Sequence, residues 1–166
     1  VPTEAERWER QVADLWATAD RSRPGAVLAR ARALVGARED GDAAALFELA
    51  SAHDFVGEEA VAIGVYERAL DAGLDPRRHD EAIIQLASSL RHVDRSADAV
   101  ALLASSPVAP DLAPAAAAFR VLALYDLGRA SQVEVSEASA AAQATPYGRA
   151  VARYAAALQG SPTSRP

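Results

Sequence analysis

The stretch Ala43 to Pro76 reads AAALFELASAHDFVGEEAVAIGVYERALDAGLDP, and its spacing decides the fold. Leu46, Leu49, Ala50 and His53 recur at i, i+3, i+4 and i+7, which places them on one face of a helix. Gly57 interrupts that pattern, and Ala62, Tyr66, Ala69 and Leu70 form the face of a second helix. The stretch is a helix hairpin. Alanine at positions 50, 62 and 69 suits places where two helix backbones approach too closely for a bulky side chain.

A second copy follows at an offset of 37 residues. Ile83, Leu86, Ala87 and Leu90 reproduce the first-helix face, and Ala99 and Leu103 the second. Asp94 stands seven residues after Ala87, as Gly57 stands seven after Ala50. Between the copies, Gly73 suits the position just past a helix end, and Asp75-Pro76 an N-cap followed by a first-turn proline. Repeats are therefore expected over residues 43–76 and 80–106.

Working outward, residues 3–38 read as a degenerate N-terminal hairpin. Thr3 caps its first helix with Glu6 completing a capping box, and Trp8, Val12, Leu15, Trp16 and Ala19 face inward. Counting back 34 residues from the first repeat puts Trp16 where a small side chain belongs. Pro24 opens the second helix, with Val27, Leu28, Ala31, Leu34 and Val35 inward. On the other side, Pro107, Pro110 and Pro114 predict a loop over Ser105 to Ala113. A weaker hairpin is expected over 114–144 in one of two registers. Taking Gly128 as its turn glycine puts Val121 at the small position and Arg120 where a leucine belongs. A shift of two makes Phe119, Leu122 and Ala123 the inner face instead. The glycine register is preferred because three turns then agree. Thr145-Pro146 opens a last helix, 146–159, with Tyr147, Val151, Tyr154, Ala155 and Leu158 on one face; a solenoid needs such a terminal cap. Residues 1–160 read as one helical domain and 161–166 as a polar tail.

Composition supports an all-α chain. About a quarter of the residues are alanine and only 5% are aromatic, and alanine has the best helix propensity. A core so poor in large side chains needs helices that approach closely. The net charge is −6 and all 17 basic residues are arginine, which argues against a nucleic-acid partner. The absence of cysteine removes disulfides, thiol catalysis and cysteine-ligated zinc, and fits a reducing, cytoplasmic setting. No apolar run has the length of a membrane span, and no secretory leader opens the chain. The start at Val-Pro-Thr leaves room for a trimmed N-terminus.

Large–x2–large–small–x2–ring, then small–x3–aromatic, is the spacing of the tetratricopeptide helix hairpin. The phrases LFELASAHDFVG and AIIQLASSLRHVDR in consecutive repeats resemble a small group of tetratricopeptide proteins. The resemblance runs from Ala26 to Leu158 and is best between Leu34 and Leu103. It implies a right-handed superhelix, or solenoid, of about four hairpins plus a C-terminal capping helix. It implies no enzymatic activity and no cofactor. In the wider class the first helix of each hairpin lines a concave groove that binds peptides or partner domains. Carried onto this chain, the groove positions are Phe47, Ser51, Asp54 and Phe55, then Glu81, Ile84, Ser88, Arg91 and His92, then Leu122, Tyr125 and Asp126. The subtype that clamps a C-terminal carboxylate uses lysine and asparagine, and this chain has neither; Arg91 could supply one donor.

Enzymatic chemistry finds little support. His53, His79 and His92 are 26 and 13 residues apart, without the i, i+4 spacing of a helical metal site. His53 occupies a packing position, His79 a solvated first turn, and His92 a groove position. The carboxylate pairs Glu39-Asp40, Glu58-Glu59 and Asp80-Glu81 sit at helix starts, where they favour the dipole. Ser88 and Ser89 lie inside a helix, not on the strained elbow of a hydrolase. No catalytic or metal-ligating residue is assigned. The expected function is a non-catalytic scaffold for a protein or peptide. The alternative is homodimerisation through the Trp8–Trp16 helix or the alanine-rich third hairpin.

Overall fold

The computed structural model describes residues 1–160; the expected polar tail lies outside the described residues. The described residues form nine α-helices and no strand: α1 Glu4–Thr18, α2 Pro24–Gly36, α3 Ala43–Val56, α4 Glu59–Ala72, α5 Pro76–His92, α6 Ser96–Ser105, α7 Ala113–Asp126, α8 Gln132–Ala142 and α9 Gly148–Gly160. Several helices start on a visible local device. Thr3 and Glu6 close a capping box on α1, Asp42 accepts the Ala45 N–H, and Ser131 with Glu134 closes a second capping box on α8. Asp75 Oδ1 accepts from the N–H groups of Arg77 and Arg78 at the start of α5.

Three hairpin turns share one device. The chain leaves α3, α5 and α7 through a left-handed residue, at Gly57 (φ 87°), Asp94 (φ 60°) and Gly128 (φ 68°). In each, the next N–H reaches back to the carbonyl five residues earlier in the Schellman pattern: Glu58 to His53 at 2.9 Å, Arg95 to Leu90 at 2.9 Å, Arg129 to Leu124 at 2.8 Å. Aspartate is among the few L-residues that accept this conformation, so Asp94 stands in for glycine.

The chain divides into two compact units, the first Val1–Ser89 and the second from Leu90 onward. In the first, α1 packs on α2, α2 on α3 and α3 on α4. Its N-terminal core is Trp8, Val12, Leu15, Val27, Leu28, Ala31, Leu34, Ala45 and Ala52. Trp8 is locked there, its indole N–H donating to the Leu34 carbonyl at 3.0 Å. The other side of α3 buries Leu46, Phe47, Ala50 and His53, with Ala62, Tyr66 and Ala69 of α4 wholly buried. In the second unit α6 packs on α7, α7 on α8, and α9 on both α7 and α8. Helix α7 combines the two registers weighed above. Its turn glycine is Gly128, but its buried face is Ala115, Ala118, Phe119, Leu122 and Ala123, with Val121 only half-buried. Turn geometry and burial are set by different contacts, and here they differ by part of a helical turn.

Gly64 lies in the interior of α4 on an exposed face, with nothing within 4 Å of an added Cβ. Gly64→Ala is expected to stabilise the fold by about 0.5–1 kcal/mol, because alanine loses less backbone entropy on folding. A urea titration checks this; an unchanged or lower midpoint would contradict it.

Candidate partner-binding site

One stripe of α3 organises the candidate site. Ala44, Glu48 and Phe55 recur at i, i+4 and i+11, so they share a face. Along it the first unit brings together side chains from α1, α3 and α5. The Trp16 indole N–H donates to Glu48 Oε2 at 2.7 Å, and Arg78 Nε donates to Glu48 Oε1 at 3.4 Å. Arg78 Nη2 grips both carboxylate oxygens of Glu9, at 2.9 and 2.7 Å, and Nη1 reaches Asp75 at 3.2 Å. The guanidinium carbons of Arg38 and Arg78 lie 5.3 and 5.5 Å from the Trp8 ring. Beyond Glu48, Phe55 meets Trp16 edge to face at 5.8 Å, with Arg21 over its ring at 4.6 Å. Phe55 and Trp16 are both half-buried, so each keeps surface for a further contact.

The electrostatics follow from burial. The Glu48 side chain is 5% exposed, and burial pushes its carboxyl above the usual value of 4.5, against the hydrogen bond from Trp16 and the charge of Arg78. Asp42 and Asp75 go the other way. Burial opposes their ionisation, but backbone N–H donors and Arg38 or Arg78 outweigh it and lower both.

These shifts predict opposite pH responses. Glu48 has a raised folded-state pKa, so its stability contribution is complete below the unfolded value and is lost as pH rises through the folded one. The contributions of Asp42 and Asp75 are present above their unfolded values and lost as pH falls through the folded ones. Glu48→Gln keeps an acceptor for Trp16 and removes the first effect. The variant should therefore gain stability relative to wild type as the pH rises above the usual glutamate value of 4.5. Urea midpoints across that range test it, and a constant difference would sink it.

The sequence-predicted groove residues fall in several places. In the first unit Phe47, Ser51, Ile84 and Ser88 are buried. Phe47 lies against Tyr66 with centroids 6.2 Å apart, and Ser51 donates to Gln85 Oε1 at 3.0 Å. That side of α3 faces neighbouring helices rather than an open groove. Asp54 is half-buried and accepts from Ser89 Oγ at 2.8 Å; Glu81 pairs with Arg77 at 2.7 Å. Phe55 alone of this group presents a half-exposed ring. In the second unit Leu122 is buried and Tyr125 is half-buried. Arg91 is committed to Asp126, which also accepts from Ser96 Oγ at 3.1 Å, and Arg91 lies 5.5 Å from the Tyr154 ring. His92 is exposed, its ring edge-on to Tyr154 at 5.0 Å.

Sequence reasoning missed Glu9, Arg21, Glu48 and Arg78. Glu48 did carry a signal, as a carboxylate between Phe47 and Leu49 in an otherwise apolar run. Arg78 carried none, since its partner Glu9 is 69 residues away. Among the described residues, no group of three histidine, aspartate or glutamate side chains could hold a metal ion. No helix there is long and apolar enough to cross a membrane.

An all-helical chain with consecutive helices packed in sequence, repeated Schellman turns and small residues at the helix contacts defines a helical-repeat protein. The family model described as tetratrico peptide repeat matches residues 43–158, and the chain belongs to that family. No curated protein and no solved structure matches it. Repeats of this family generally mediate protein–protein interaction.

Proposed function

We propose that this chain is a non-catalytic scaffold that holds a segment of a partner protein along its first helices. The half-exposed Phe55–Trp16 pair carries the reading. Aromatic rings beside an arginine, with Arg21 over Phe55, are the composition of binding hot spots. Asp54 and Glu81 in the first unit, and Arg91, His92 and Tyr125 in the second, are secondary candidates for polar contacts. Phe47, Ser51, Ile84, Ser88 and Leu122 shape the helices that present them.

Dimerisation through the tryptophan helix has less to work with. Trp8 is 4% exposed and holds the core, so its ring offers no surface to a second copy. Peptides selected on the intact chain should lose at least about tenfold in affinity to Phe55→Asp, a change of roughly 1.4 kcal/mol. Circular dichroism on the same variant checks that it stays folded, and Arg21→Glu repeats the test at an exposed position. Binders indifferent to both variants would overturn the reading.

A further inference from the structure

Resting on the scaffold reading, we propose that α9 is a displaceable strap on the second unit: an acidic side chain of the partner segment pairs with Arg91, and an aromatic one takes the place of Tyr154 on Phe119. The starting observation is an unsatisfied arginine. The Arg91 side chain is only 9% exposed, and its Nη1 is buried without a hydrogen-bond partner. Nε and Nη2 both donate to the Asp126 carboxylate. The guanidinium is a planar fork, so Nη1 points away from that edge. A buried donor left without an acceptor is costly, and a carboxylate is the acceptor whose charge and geometry suit it.

Tyr154 of α9 lies against this guanidinium without supplying that acceptor. Its ring centroid is 5.5 Å from the Arg91 guanidinium carbon and 6.2 Å from the Phe119 centroid. Its hydroxyl accepts from Arg153 Nη2 at 3.3 Å, and the Arg153 guanidinium carbon sits 5.0 Å from the same ring. His92 meets the ring edge-on at 5.0 Å. Three basic side chains thus surround one ring, and the carboxylate beside them, Asp126, already takes Arg91 and Ser96. Such a place draws an acidic group and repels a basic one.

The hold of α9 is light. It packs on α7 and α8, while Ala152, Arg153 and Ala156 on its other side are exposed. Its buried apolar side chains are Val151 and Ala155, and Tyr154 and Leu158 are half-buried. Valine and alanine remove little apolar area from water, and a helix with so few buried contacts opens at the low end of the stability scale. Displacement exchanges one ring for another on Phe119, and Arg91 gains the bond it lacks. A glutamate and a phenylalanine two positions apart in an extended segment lie on one side, about 7 Å from each other. That spacing suits two groups which a single ring now touches.

The test is fluorescence anisotropy on the full chain with two synthetic peptides. One carries that glutamate–phenylalanine pair, and the other has glutamine for the glutamate. The first should bind at least about tenfold tighter. Tyr154→Ala, which weakens the strap, should tighten the first peptide by about threefold to tenfold, whereas loss of an ordinary contact residue would weaken it. On the unaltered chain, hydrogen exchange with saturating glutamate peptide should show α9 amides losing protection while those of α7 keep theirs. Equal binding of the glutamine peptide, an unchanged or lowered affinity in Tyr154→Ala, or an α9 that stays protected would overturn the inference. If neither peptide binds while Phe55→Asp still costs the selected peptides their affinity, the strap fails and the scaffold reading stands. If Phe55→Asp is also without effect, both fail.

Discussion

Tyr66→Ala is expected to lower the unfolding free energy by about 4 kcal/mol, the largest effect of any single substitution considered. Tyr66 is fully buried and is among the largest such side chains. Its ring packs against Phe47, and its hydroxyl donates to Gln85 Oε1, which also accepts from Ser51. One side chain on α4 thus ties α3 to α5. Removing the ring leaves a cavity that rigid helices close only partly. Tyr66→Phe keeps the ring and should cost only about 1 kcal/mol, because Gln85 retains the Ser51 hydroxyl as a donor. Urea denaturation of the pair separates packing from hydrogen bonding. Equal losses from the two variants would refute this division.

Arg78→Ala should cost about 3 kcal/mol, for a different reason. Its pairs with Glu9 and Asp75 count for little, since those carboxylates are 51% and 46% exposed. The weight lies with Glu48, which is left buried with Trp16 as its remaining donor. Removing one partner of a buried pair costs more than replacing both. The double variant Arg78→Met, Glu48→Met should therefore recover most of the loss. With the arginine gone, the Glu48 carboxyl is pushed further up, so the decline in stability toward alkaline pH should begin more steeply than in wild type. A double-mutant cycle showing simple additivity would mean that the two side chains are not coupled.

The Arg78 variant also bears on function. Trp16 is oriented by Glu48, and Glu48 is held by Arg78, so the Trp16–Phe55 pair depends on a network spanning α1, α3 and α5. A stable Arg78 variant that still presents Phe55 would bind its peptide more weakly through a loosened Trp16. The comparison with Phe55→Asp tells direct contact from positioning.

The amino-acid sequence alone determined the helices, their order and the family. Those depend on local signals: the Thr3–Glu6 capping box, the Asp75-Pro76 start, the left-handed Gly57, Asp94 and Gly128, and small residues spaced for close helix contact. The proline-marked loop is of the same kind, with helices ending at Ser105 and restarting at Ala113. Chain statistics within a few turns suffice for such features. Local signals were less exact where they were weak, and α9 begins at Gly148, two residues after the expected start. The tertiary structure decided which helix faces stay open. Family positions put Phe47, Ile84 and Leu122 in a groove, yet each is buried, because exposure depends on how neighbouring helices rotate against one another. Helix α7 shows that freedom directly, with its turn in one register and its buried face in the other. Only the fold joins Arg78 to Glu9 and lays Glu48 between Trp16 and Arg78, for these partners are distant in the chain and no local rule pairs them.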